Sequence, residues 1–174
     1  MKKILIGLVT LIFVSQAMAA VSVGLGGDMR WQENSFGDQE LNQYNALAIG
    51  YSLTEMVTLE SELYYYSSST TNGSFKVSYS QYGVTEWANI VLPEIWRLKF
   101  RLGPGLGFGM QRVSTSIGSS SAQDASDPEF HLGLQAGSTL RITDRIFADL
   151  AFRALEIESS GGVVSGRLLI GFNF

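Results

Sequence analysis

His131 is the only histidine in the chain, and so the only side chain of its type that could act as a general base near neutral pH. Three carboxylates, Glu60, Glu62 and Asp149, could supply an acid and a base if two of them flanked one substrate. Lys99, Arg101, Arg153 and Arg167 recur at neighbouring levels, however, and a carboxylate held beside a cation is a poor proton donor. These seven residues are therefore read as ion pairs rather than as a catalytic pair. Gly103, Gly105, Gly107 and Gly109 recur every second residue with no helix to follow, which is not a dinucleotide-binding fingerprint. Asp124 and Asp127 could hold a divalent cation, but a Ser/Asp stretch ending in Pro128 reads as a solvated loop. No catalytic residue, metal site or cofactor is expected.

The elements that must position these groups are strands. With 45% hydrophobic, 11% aromatic and only 16% charged residues, the 174-residue chain is neither a disordered tail nor a basic nucleic-acid-binding domain. Its N-terminus reads as an export signal over residues 1–19: Lys2 and Lys3, the apolar run Ile4 to Val14, then Ala17-Met18-Ala19 as a cleavage site. That run is shorter than the roughly 20 residues a membrane helix needs. Residues 20–174 are then one domain, more acidic than the net charge of −4 carried with the two lysines, and no nucleic-acid partner is expected. The absence of cysteine excludes a disulfide framework, a thiolate metal site and a lipidated N-terminal cysteine.

Period-two alternation recurs along the rest of the chain. Leu25, Met29 and Trp31 oppose Asp28 and Arg30; Leu47, Ile49 and Tyr51 oppose Ala46, Ala48 and Gly50; Leu59 and Leu63 oppose Glu60, Glu62 and Tyr64. In a fifth segment Leu98, Phe100, Leu102, Leu106 and Phe108 oppose Lys99, Arg101 and the glycine series. The sixth places His131, Gln135 and Arg141 opposite Leu132, Leu134 and Leu140; the seventh and eighth place Asp149, Arg153 and Arg167 opposite Leu150, Phe152, Leu168 and Ile170. The fourth segment, Lys76 to Leu92, is irregular: strict phase puts Glu86 on the face of Tyr82, Val84, Ala88 and Ile90, and a bulge near Thr85 and Glu86 would re-aim it. Pro104 cannot donate to a ladder and is likewise read as a local bulge.

Connections alternate in length. Gln32 to Asn42, Ser68 to Phe75, Ser114 to Pro128 and the stretch about Glu158 to Gly162 are long or polar, whereas Thr54-Glu55-Met56, Pro93 to Trp96 and Thr143-Asp144 are tight. The Ser/Thr-rich stretches Ser67 to Ser74 and Ser114 to Ser126 read as solvated loops. Eight antiparallel strands with long loops at one end and short turns at the other make an up-and-down transmembrane β-barrel, apolar face to lipid. The all-β class could also be met by a soluble barrel with its apolar face inward. Three features favour lipid: the strand lengths, the pairing of glycines with charges on the polar face, and an alternating strand that stops on Phe174.

That last strand, Ser165 to Phe174, resembles the C-terminal assembly signal of bacterial outer-membrane barrels, with Phe172 and Phe174 as its aromatic positions. With Leu102 to Gly109 in mid-chain, the chain resembles the small OmpA/OmpX-like outer-membrane β-barrel family over most of its length. The resemblance implies a place in the outer membrane, among its lipids, and insertion by the barrel assembly machinery. It also brings in lipid A deacylases, small barrels with a His-x-Ser pair on one strand. Here Gly133 stands where that serine would be, so the nucleophile is missing. The expected function is a non-enzymatic, monomeric scaffold, its lumen plugged by charge pairs and its outer loops available to a surface partner. The alternative is a narrow pore or a conduit for small or hydrophobic compounds.

Overall fold

The computed structural model describes residues 20–33, 39–117, 120–157 and 161–174; the expected export signal lies outside them. Nine strands occur among the described residues: β1 (Val21–Glu33), β2 (Gln39–Ser52), β3 (Val57–Asn72), β4 (Phe75–Val91), β5 (Leu98–Ile117), β6 (Ser120–Ala125), β7 (Glu129–Arg141), β8 (Ile146–Ile157) and β9 (Gly161–Asn173). They pair antiparallel in the order β4-β3-β2-β1-β9-β8-β7-β5, and β4 also pairs with β5, which closes the sheet. Eight strands thus form the barrel wall, and β6 flanks only the outer part of β5. Closure removes the free sheet edges that hydrocarbon would not tolerate. The last residue takes part: the Phe174 N–H donates to the Val21 carbonyl at 2.8 Å.

The two faces separate as the alternation requires. Leu25, Leu106, Leu132 and Ile170 are exposed on the outer wall, while Asp28, Arg30, Glu62, Arg153 and Arg167 are fully buried inside. A barrel with charge inside and aliphatic side chains outside is the membrane arrangement. Small residues let the interior close. A Cβ on Gly105 would run into the Trp87 ring, and one on Gly171 into that of Phe147, so both glycines are the floor on which an aromatic ring rests.

Three expectations are corrected. β4 contains no bulge: one register carries it from Asn72↔Phe75 to Val57↔Ile90 against β3, and Glu86 stays in the outward phase opposite Ser61 and Leu106. Pro104 causes no bulge either. Its pairing with Leu134 of β7 is regular, and the β4–β5 ladder skips Ala88 and Asn89 and resumes in the same register at Ile90↔Leu102. Even-numbered β5 residues bond towards β4, as Leu92 N to Phe100 O does, so the proline removes one donor and leaves the alignment intact.

The third correction concerns the loops. Ser67 to Asn72 and Phe75 to Ser80 are strand, joined by a two-residue turn with Gly73 at φ 62°, and Ser114 to Ile117 pairs with β6. Interleaved Tyr66, Val77, Tyr79 and Val113 suit a pleated sheet, and each strand extends a ladder already begun in the wall, so the polar residues join it without a nucleation cost. At the opposite end, the Ile95–Leu98 turn puts Trp96 and Arg97 at φ 54° and 71°, a left-handed pair usually left to Asn-Gly.

Candidate functional site in the barrel lumen

Glu60 and Glu62 descend from β3, Arg101 from β5, Asp149 and Arg153 from β8 and Arg167 from β9, and their side chains meet across the lumen. Arg167 is the hub. Its guanidinium donates to both oxygens of Glu60, at 2.7 and 3.1 Å, to Asp149 Oδ1 at 2.9 Å, and to Glu62. Arg153 grips Glu62 with both terminal nitrogens, Nη1 to Oε1 at 2.5 Å, and Arg101 grips Asp149 likewise, Nη2 to Oδ1 at 2.7 Å. Thr139 adds a hydroxyl bond to Asp149 at 2.8 Å and accepts one from Arg101 at 3.0 Å. Three carboxylates face three guanidiniums, with no excess of either sign.

Lys99 stands apart from this network. It lines an open vestibule of about 750 Å³ at the short-turn end, with Glu60, Glu94, Arg97 and Arg141 on its walls, and has no ion-pair partner among the described residues. Phe172 and Phe174, expected from the sequence to form an assembly signal, lie exposed on the outer wall at the base of β9.

Sequence reasoning missed the outer half of the network. Asp28 and Arg30 of β1 pair at 2.8 Å, and the Arg30 guanidinium lies between the rings of Tyr44 and Tyr64, 4.2 and 4.0 Å from their centroids. Below them Gln135 donates to Asn89 at 2.8 Å, and Arg153 stacks over Trp87 at 4.8 Å. Inward phase on β1 was the available signal. Only the register Asp28↔Arg167 brings β1 to the cluster, and that register is a property of the closed barrel.

His131 is buried and its Nε2 lies 2.8 Å from Thr85 Oγ1, a hydroxyl–imidazole contact that the missing serine at Gly133 did not foretell. Both residues are packed inside the barrel, with the Tyr64 ring 6.2 Å from the imidazole, so the pair faces side chains rather than a cleft. Asp124 lies on β6, its carboxylate accepting from the Ala125 N–H at 2.9 Å, and no metal-binding group of three occurs among the described residues.

Comparison with known proteins agrees with this architecture. The profile of the family described as "Outer membrane protein beta-barrel domain" matches residues 5–172. Among solved structures, the Neisserial surface protein A barrel is 18% identical with a TM-score of 0.61, covering 89% of this chain and 95% of that one. Ail, the attachment invasion locus protein of Yersinia pestis, is 14% identical with a TM-score of 0.62, covering 90% and 97%. The N-terminal barrel of Pseudomonas aeruginosa OprF is 18% identical with a TM-score of 0.55, covering 90% and 100%. At such identities the likeness is one of fold. A search of curated proteins found no match.

Proposed function

This chain belongs to the outer membrane protein β-barrel domain family and lies in the outer membrane, and on that premise we propose that it is a non-enzymatic scaffold that presents a β-sheet at the cell surface on a plugged barrel. The observation that carries the reading is the outer continuation of β3, β4, β5 and β6, a four-stranded sheet whose two edges have no partner strand among the described residues. Even-numbered β3 residues bond to β4, as Met56 O does to Val91 N, so Ser67, Ser69 and Thr71 direct their N–H groups to the open side. By the same parity Ser121 and Gln123 of β6 direct their N–H groups to the other open side, since Ser126 N bonds to Gln111 of β5. Native edges are commonly blunted by lysine, proline or a bulge. Tyr66 to Asn72 carries no charge and no proline. Such an edge suits an extended strand from a surface partner, held by main-chain bonds.

The lumen supports the same reading. An eight-stranded barrel has an interior just wide enough for side chains, and here it holds the ion-pair chain from Arg101 to Arg30. Insertion by the barrel assembly machinery through Phe172 and Phe174 belongs to this proposal. Ail has also been crystallised with the heparin analogue sucrose octasulfate. Lys76 and Arg112 of the outer sheet are offset in charge by Asp124 of β6 and by Asp127 and Glu129 just beyond it, which favours a strand over a polyanion as partner.

Two measurements test the reading. Refolded wild-type protein in planar bilayers should pass no steady ion current; a large, stable conductance would put a pore in place of the scaffold. Cells displaying Ser69→Pro with Gln123→Pro, at unchanged outer-membrane level, should lose the surface adhesion conferred by the wild type, and retained adhesion would exclude the open edges as the contact.

A further inference from the structure

Glu86 faces away from the lumen. It stands on β4 between Tyr82 and Ile90, opposite Ser61 of β3 and Leu106 of β5, and its Oε2 accepts the Ser61 hydroxyl at 2.7 Å. Among the described residues it is the single acidic or basic side chain in the outward phase in the body of the wall; Glu156, also in that phase, sits at the outer end of β8. Ser61 beside it and Ala88 and Pro104 towards the short-turn end are small, whereas Leu106 stands directly across on β5 and Val84 and Leu63 lie on its other side, and the β4–β5 ladder lapses at Ala88 and Pro104. The outer wall therefore carries one polar notch.

A carboxyl in hydrocarbon is costly unless polar groups meet it, and one hydroxyl occupies only one of its two oxygens. Glu86 stands four residues from Tyr82 along β4 and five from Val91 at the strand's end, midway along the wall and away from the headgroups on either side, and among the described residues the body of the wall presents no outward lysine or arginine to a neighbouring barrel. What the notch matches is itself. A twofold axis along the membrane normal would bring the Glu86 carboxyls of two copies together, one of them protonated so that it donates to the other while each Ser61 hydroxyl holds its own carboxyl, and the short Ala88 and Pro104 let the two walls approach. We propose that the protein dimerises within the membrane through the Glu86–Ser61 notch, in place of the monomer expected from sequence. This goes beyond the surface role and needs only the barrel's place in a membrane.

The chain has no cysteine, so single-cysteine variants report contacts cleanly. In phospholipid vesicles, Ala88→Cys, beside the notch, should form oxidised dimers, and Ile170→Cys, on the opposite wall, should not. Adding Glu86→Leu to Ala88→Cys should lower the crosslinked fraction roughly tenfold. Glu86→Gln, whose amide both donates and accepts, should keep most of it. Heat-modified gel mobility verifies that each variant is folded, and Glu86→Leu leaves the lumen untouched. Equal crosslinking from both walls, no Ala88→Cys dimer, or a dimer indifferent to Glu86→Leu would overturn the proposal. Crosslinking of Ala88→Cys in intact cells to a different chain, with no dimer, would overturn it in favour of another membrane partner.

Discussion

Below the level of Tyr65 and Tyr82 the strands form a closed ring with charges buried inside and aliphatic side chains outside; above it β3, β4 and β5 run on with β6 as an open sheet with hydroxyls on both faces. The same chain obeys two sets of rules because it meets two solvents. Hydrocarbon offers no hydrogen bonds, so the backbone groups of the wall pair around the ring and its polar side chains turn inward, with the Glu86–Ser61 pair as the exception. Water satisfies an unpaired N–H, so both closure and alternation lapse where lipid ends, and the free edges become usable by a partner.

The largest loss is expected at the hub of the lumen. Arg167→Ala leaves Glu60, Glu62 and Asp149 short of a buried cation and should cost about 3–5 kcal/mol in urea unfolding. A change under 1 kcal/mol would mean that the interior is hydrated like the outer sheet. On the opposite face of the same wall, Leu150→Arg puts a charge into hydrocarbon and should cost about 2–4 kcal/mol near the midplane; folding in vesicles against folding in detergent separates this from a packing effect.

Gly133→Ser tests how full the lumen is. A Cβ there would lie 2.6 Å from Leu155 Cδ2 and 2.9 Å from the Ala154 carbonyl, so about 1–3 kcal/mol should be lost, with no gain of hydrolase activity despite the restored His-x-Ser spacing. At the short-turn end the sign reverses. Replacing Trp96-Arg97 by Asn-Gly relieves two left-handed residues and should raise the unfolding free energy by about 1 kcal/mol. The smallest effect belongs to the open sheet. Ser69→Pro removes an edge donor that bonds to nothing in the barrel and should change stability by no more than about 0.5 kcal/mol, measured on the same urea axis.

Much of the wall was legible because a strand's side-chain period is local. Leu25 against Asp28, Leu63 against Glu62 and Leu168 against Arg167 each fix a face from two or three neighbours in sequence, and a one-residue slip would reverse every one of them. Glu60, Glu62, Arg101, Asp149, Arg153 and Arg167 followed from phase and approximate depth. Lys99 shared both, yet the structure leaves it in the vestibule, because depth read along single strands ignores the stagger that closing a barrel imposes.

What the tertiary structure alone decided concerns partners across strands. Asp28 meets Arg167 only because β1 and β9, the two ends of the described chain, are neighbours in the closed sheet. Glu86 keeps its outward phase because β3 and β5 hold β4 in one register on both sides, where the local pattern invited a bulge. Ser67 to Asn72 and Ser114 to Ile117 became strands because an existing ladder was there to extend. Alternation along one strand is set by backbone stereochemistry and is written in the sequence, whereas register between strands is set by the sum of all pairings around the ring, which no single segment contains.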